Sequence, residues 1–177
     1  MIDRARKFAE KAHAKQKYKV PYMFHVEAVV ELLKPYGEDA IVAGYLHDVL
    51  EDSNANINEI EAKFGAHIAK CVSLLKDDPE KSRLARKEEA CFRLKQVTGK
   101  EQLALIVAAA DRLANMQAGI MTRDVKHLEM YLKEWEAFKA AVYRPGLCDG
   151  LWSALHGAVN EAETIVGTPH RQARDIA

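Results

Sequence analysis

Ala40-Ile41-Val42-Ala43-Gly44-Tyr45-Leu46-His47-Asp48-Val49-Leu50-Glu51-Asp52 runs from a segment that is apolar on every side into an imidazole and three carboxylates. At roughly 100° per residue, His47, Asp48, Glu51 and Asp52 would fall within about 140° of one another on a helix, close enough to converge on one point. Carboxylates sit badly at a helix C-terminus, where the macrodipole is negative and adds about 0.3–1 kcal/mol to the cost of each. A bound cation would resolve the conflict. The apolar approach predicts a core helix whose end surfaces where the core opens to solvent.

Working outward, apolar residues recur at helical spacing along almost the whole chain, and no alternating strand, internal repeat or low-complexity linker interrupts them. The expected fold is all-α, one domain of about eight to nine helices over residues 1–167, with a frayed tail at 168–177. A first helix is predicted near residues 3–14. A basic stretch, Lys15-Gln16-Lys17-Tyr18-Lys19-Val20-Pro21, ends it, because the residue before a proline avoids helical angles. A second helix opens near His25, turns Val26, Val29, Val30 and Leu33 inward, and stops at Pro35-Tyr36-Gly37. The third begins near Glu38 and runs into the acidic cluster. Asn56 and Glu59 have the spacing of a capping box, opening a short helix that ends at Gly65. Further helices are predicted near 66–75, 80–97, 101–121, 124–143 and 147–166.

Composition narrows the function classes. The chain has 177 residues, 49% of them hydrophobic, enough to bury one sizeable core. Lys+Arg and Asp+Glu balance at 26 each, which argues against a global electrostatic grip on nucleic acid or anionic lipid. The longest apolar run, residues 103–110, is too short to span a bilayer, and the charged start Met1-Ile2-Asp3-Arg4-Ala5-Arg6-Lys7 does not read as a signal peptide. A cytoplasmic protein is expected, with no membrane or nucleic-acid partner and with self-association left open. Cys71, Cys91 and Cys148 are widely spaced and odd in number, so they read as small buried hydrophobes rather than as disulfides or thiolate zinc ligands.

Asp111 is the second strong signal. It follows Leu103-Ala104-Leu105-Ile106-Val107-Ala108-Ala109-Ala110, which reads as a fully buried helix, where an unpaired carboxylate costs several kcal/mol. Arg112 points about 100° away from it, whereas Asn115, four residues on, shares its face. A buried ion pair with Arg123 is the plain alternative. His25 opens its helix just after Pro21-Tyr22-Met23-Phe24 and could project into the same space.

These stretches together resemble the HD-domain metal-dependent phosphohydrolases, named for a His-Asp pair seen here as His47-Asp48. The resemblance is closer still to the RelA/SpoT-type hydrolase domain and its stand-alone relatives, the small alarmone hydrolases. It is carried by Phe8-Ala9-Glu10-Lys11-Ala12-His13 with Gln16, Pro21-Tyr22-Met23-Phe24-His25, Leu46-His47-Asp48-Val49-Leu50-Glu51-Asp52, Phe64-Gly65, Arg86-Lys87 and Ala110-Asp111-Arg112-Leu113-Ala114-Asn115-Met116. The resemblance implies that His25, His47, Asp48 and Asp111 bind one divalent metal, usually manganese. The donor types agree with that reading. It also implies that Glu51 and Asp52 handle the attacking water and the leaving oxygen, and that the bond cut joins a 3′-diphosphate to guanosine, releasing pyrophosphate.

The chain departs from the family pattern in the parts that recognise substrate. Ala14 stands where the family has glycine, Tyr18 where an arginine stacks on guanine, Val26 where a proline follows the metal histidine, and Ala118 where a polar residue is usual. Tyr18 keeps a stacking face without the charge. Lys15, Lys17, Lys19, Arg86 and Lys87 are the candidates to neutralise phosphates, and Asn115 the candidate to bond the ribose. The basic loop reads equally as a solvated surface turn. His67, His127, His156 and His170 fall outside any convergent pattern. Two rivals remain at this stage: an HD phosphohydrolase of different nucleotide specificity, and a metal-containing nucleotide sensor without chemistry.

Overall fold

The computed structural model describes residues 1–14 and 22–167, apart from the Asp52 side chain. The basic loop with Lys17, Tyr18 and Lys19, and the expected frayed tail, therefore lie outside the described residues. No strand is present among those described. The helices are α1 (Ile2–His13), α2 (Met23–Leu33), α3 (Glu38–Leu46), α4 (Val49–Asp52), α5 (Ile57–Phe64), α6 (Ala66–Leu75), α7 (Arg83–Lys95), α8 (Leu103–Thr122), α9 (Val125–Val142) and α10 (Asp149–Gly167). Nine of these are full helices, and α4 is a single turn split from α3.

Local chemistry sets the boundaries. The Asn56 side chain accepts from the Glu59 N–H at 3.1 Å while Glu59 accepts from the Asn56 N–H at 3.3 Å, a complete capping box for α5. Ser82 caps α7 and Asp124 caps α9 through their side-chain oxygens. Arg123, the one non-glycine residue at positive φ (51°) among those described, closes α8. Its N–H and that of Asp124 return to the carbonyls of Ile120 and Gly119 at 3.1 and 2.9 Å.

The central element is α8, which packs against α2, α3, α6, α9 and α10. Every residue from 104 to 110 is buried, so the apolar run read from the sequence is the axis of the core. The segment Gly99–Thr122 is long and apolar enough to cross a membrane by composition, yet 61% of its most apolar window is buried inside the bundle. That apolarity is used in packing. Burial along α8 first breaks at Asp111, where the helix meets a cleft. Cys71 and Cys148 are buried, and desolvation pushes both thiols up to about 11; Cys91 is half-buried, and all three are free.

The sequence implied one helix running through the acidic cluster, but the chain turns at His47-Asp48 instead. His47 keeps helical angles (φ −56°, ψ −39°), while Asp48 lies at φ −102°, ψ −1°, in the bridge region between helix and strand. The single-arc geometry does not hold, and Asp48 heads the next turn rather than ending the previous helix. The approach to this turn is tight. A Cβ on Gly44 would lie 2.5 Å from Leu33 Cδ1 of α2, which is fully buried. Replacing Gly44→Ala is expected to lower stability by about 1–3 kcal/mol through overpacking, read as a reduced urea midpoint with an unchanged slope.

A candidate metal centre at the base of a cleft

Four side chains from three parts of the chain meet midway along α8, where Asp111 faces the cleft. His25 comes from the first turn of α2, His47 and Asp48 from the turn between α3 and α4, and Asp111 from the middle of α8. One ligand atom each from His25, His47 and Asp111 lies within 4.8 Å of the others. Asp111 Oδ1 is their meeting point, 3.0 Å from His25 Nε2 and 3.7 Å from His47 Nε2. Asp48 Oδ2 approaches His47 Nε2 from another side at 3.0 Å. The alternative of an Asp111–Arg123 ion pair is not what forms.

The protonation pattern shows whether a cation fits. His47 is 3% exposed, and its Nδ1–H donates to the Gly44 carbonyl at 2.7 Å. In a neutral imidazole this leaves Nε2 with a bare lone pair. Burial lowers the His47 pKa, the nearby Asp111 charge opposing the shift only in part, so a second proton is disfavoured. The buried Nε2 has no hydrogen-bond partner. An electron pair is thus aimed at two carboxylate oxygens, an arrangement that is repulsive alone and favourable around a divalent cation. Two imidazoles and carboxylates without thiolate suit manganese or iron at least as well as zinc. Burial opposes the charge on Asp111, but the His25 hydrogen bond, with His47 and Arg112 nearby, outweighs it and holds the carboxyl well below the usual carboxylate range.

The surroundings fix these groups. Asn115 Nδ2 donates to Asp111 Oδ1 at 2.7 Å, so the helical face the two residues share in the sequence orients the carboxylate. The rings of His13, Tyr22, His25 and His47 follow one another with centroids 4.6, 5.5 and 5.4 Å apart. His13 is 5% exposed and acts in this aromatic file, outside the ligand group.

Above the site opens a cleft of about 1340 Å³, bounded by α2, α7, α8 and α9, larger than the roughly 300–1,000 Å³ of ordinary small-molecule pockets. Glu51 lines it and accepts the Asp77 N–H on Oε1 at 2.7 Å. The backbone of Asp52 follows in α4; its side chain lies outside the described residues. Arg86 and Lys87 line the same cleft from α7, and the Lys87 ammonium rests 2.6 Å from Asp77 Oδ2. Ala118 is exposed on the α8 wall. Residues the sequence reading did not single out also line it: Arg83, Tyr131, Glu134 and His127. They belong to α7 and α9, whose contact is long-range, so helical spacing within either segment carried no sign of it.

The HD domain family model matches residues 5–130. A probable guanosine-3′,5′-bis(diphosphate) 3′-pyrophosphohydrolase from Synechocystis is 38% identical over 124 residues, which is 66% of this chain and 16% of that protein. The chain therefore spans about a sixth of that relative's length. The guanosine-3′,5′-bis(diphosphate) 3′-pyrophosphohydrolase MESH1 of Xenopus tropicalis is 30% identical over 125 residues, covering 66% of this chain and 68% of MESH1. Among solved structures, one reported as a metazoan ortholog of SpoT that hydrolyses ppGpp superposes with a TM-score of 0.72 at 20% identity, over 94% of this chain and 95% of that one. This last likeness is one of fold.

The second layer of the site is testable by itself. Asn115→Ala is expected to weaken manganese binding about 10- to 100-fold in a calorimetric titration by freeing Asp111 to rotate. Asn115→Asp, which places an acceptor against an acceptor, is expected to do no better.

Proposed function

The chain belongs to the HD-domain family, and from that membership we propose that it is a metal-dependent phosphohydrolase which removes the 3′-pyrophosphate of guanosine 3′,5′-bis(diphosphate) and its 5′-triphosphate counterpart. The observation that carries the reading is the bare, buried Nε2 of His47 among His25, Asp48 and Asp111 at the floor of a nucleotide-sized cleft. Support also comes from relatives that bear the name of this activity, 38% and 30% identical over 124 and 125 residues.

In this reading His25, His47, Asp48 and Asp111 hold one divalent ion, manganese in preference. When bound, the ion supplies a Lewis acid for a phosphoryl oxygen and for the attacking water. The remaining work falls to the chain. Gly44 and Asn115 keep His47 and Asp111 in their ligating orientations. Glu51, anchored by the Asp77 N–H, presents a fixed carboxylate to the cleft. Glu51 and Asp52 share two proton transfers: one takes the proton of the water as its oxygen bonds to phosphorus, the other gives a proton to the ribose 3′ oxygen as the P–O bond breaks. The products are pyrophosphate and a guanosine 5′-di- or triphosphate with a free 3′-hydroxyl. Lys17, Tyr18, Lys19, Arg86 and Lys87 are the proposed contacts to base and phosphates. A nucleotide substrate fits a cytoplasmic site of action.

A second reading is favoured by one position. Ala118 lines the cleft where the family pattern has a polar residue, so an HD phosphohydrolase acting on a different nucleotide is the rival.

Purified protein with manganese should release pyrophosphate from guanosine 3′,5′-bis(diphosphate), and excess chelator should abolish release. Glu51→Gln is expected to lower kcat about 10²- to 10⁴-fold with manganese affinity unchanged. No release, together with turnover of ordinary nucleoside monophosphates, would establish the rival.

A further inference from the structure

Glu51 sits in α4, a helix of a single turn, which is too short to hold its own shape by backbone bonding. A distant partner steadies it. From the connection between α6 and α7, the Asp77 N–H donates to Glu51 Oε1 at 2.7 Å. A backbone donor has no rotamer to choose, so it holds a carboxylate as firmly as its own backbone is held. Whatever fixes the Asp77 backbone therefore helps to fix Glu51.

Two cations of α7 grip that connection. Arg93 Nε donates to the Leu74 carbonyl and Nη2 to the Lys76 carbonyl, each at 2.8 Å. Leu74 lies in the last turn of α6, where carbonyls lack intrahelical partners and the helix dipole favours a cation. Lys76 is where the chain leaves the helix, at φ −58°, ψ 127°. The planar guanidinium thus spans the end of α6 and sets the direction in which the backbone runs into Asp77. Lys87 acts from the cleft side, its ammonium 2.6 Å from Asp77 Oδ2. The Asp77 side chain is 6% exposed, so this pair is costly to break from the acid's side, while the ammonium keeps further protons for a phosphate. The Lys81–Glu89 pair nearby is solvated and adds little.

Arg93 itself stands outside the cleft, lining a separate groove with Lys70 and Leu74 of α6 and Gln96. We propose that Arg93 and Asp77 are positioning residues for Glu51. Arg93 sets the course of the α6–α7 connection, and Asp77, pinned by Lys87, delivers the N–H that holds the carboxylate in the cleft. The proposal rests on the reading of Glu51 as a proton-transfer group, and it extends the machinery to an arginine that reaches the chemistry only through the backbone it holds.

The test has two arms on the manganese-loaded full chain. In the first, hydrogen exchange at the Asp77 amide, resolved by fragmentation mass spectrometry, should speed up at least about tenfold in Arg93→Gln and in Glu51→Ala, and by less in Arg93→Lys, which can still reach one carbonyl. In the second, pyrophosphate release by Arg93→Gln should show kcat lowered about tenfold with KM and manganese affinity unchanged, and Arg93→Lys should recover part of the loss. Placed in a Glu51→Gln background, Arg93→Gln should cost nothing further, because the group it positions is already disabled. A merely structural arginine would lower the melting temperature and would depress kcat equally in both backgrounds. That outcome overturns the proposal, as does unchanged amide exchange in Arg93→Gln. Absence of pyrophosphate release from wild type would sink the assigned reaction, and the exchange arm alone would then decide whether the connection is held as described.

Discussion

The imidazole of His47 is desolvated and spends its one proton on the Gly44 carbonyl, which commits its second nitrogen to an electron pair pointed at Asp48 and Asp111. Among the described residues, none supplies a donor to that nitrogen. Folding must bring these lone pairs together against their mutual repulsion, and the packing that does so is strong because it is apolar and spread over the whole bundle. Residues 104–110 of α8 are buried, so Asp111 cannot be displaced without moving the core axis. His25 is carried by α2, whose Val26, Val29 and Leu33 are fully buried. Core packing thus stores the local electrostatic cost as a preorganised cation site.

The break between α3 and α4 is what lets one short sequence serve two directions. A continuous helix would have pointed His47 and Asp48 about 100° apart. With Asp48 in the bridge region, its carboxylate comes to 3.0 Å of His47 Nε2, while Glu51 one turn later reaches across to the Asp77 N–H instead of joining the same cluster. The acids so divide into a carboxylate beside His47 and one anchored to the Asp77 N–H. This separation relieves the crowding of negative charge that the linear sequence suggested.

Most of the helical architecture was legible in the residues because the signals were local. The Asn56/Glu59 box, the Pro35-Tyr36-Gly37 stop and the apolar run ending at Asp111 each act within one or two turns. Asn115 was placed beside Asp111 by periodicity alone, and a hydrogen bond of 2.7 Å joins them. The turn at His47-Asp48 was not legible, since neither residue is a helix breaker and no local signal marks it. On the cationic wall of the cleft, Arg86 and Lys87 were named as phosphate candidates, while Arg83 was not. Arg112 was seen only as a neighbour pointing away from Asp111; what it points to, Glu134, Tyr131 and Phe138, depends on how α9 folds back over α8. The cations at the start of α7 were the available hint, because a capped helix with arginine and no acid in its first turn contradicts its own dipole.

That contradiction and the one at His47 have the same form. Beside Asp111 the His47 Nε2 lone pair faces carboxylate oxygens, and against α9 Arg83 and Arg112 share the one carboxylate of Glu134. The two adjoin, since Asp111 and Arg112 are consecutive in α8 and the Arg112 charge helps to hold the Asp111 carboxyl low. Lys87 and Asp77 between them do cancel, at 2.6 Å, which shows that the fold can pair opposite charges across α7 when geometry allows. An anionic ligand in this cleft, meeting a cation held by the histidines and carboxylates and the guanidinium charge on the same wall, would satisfy both imbalances together.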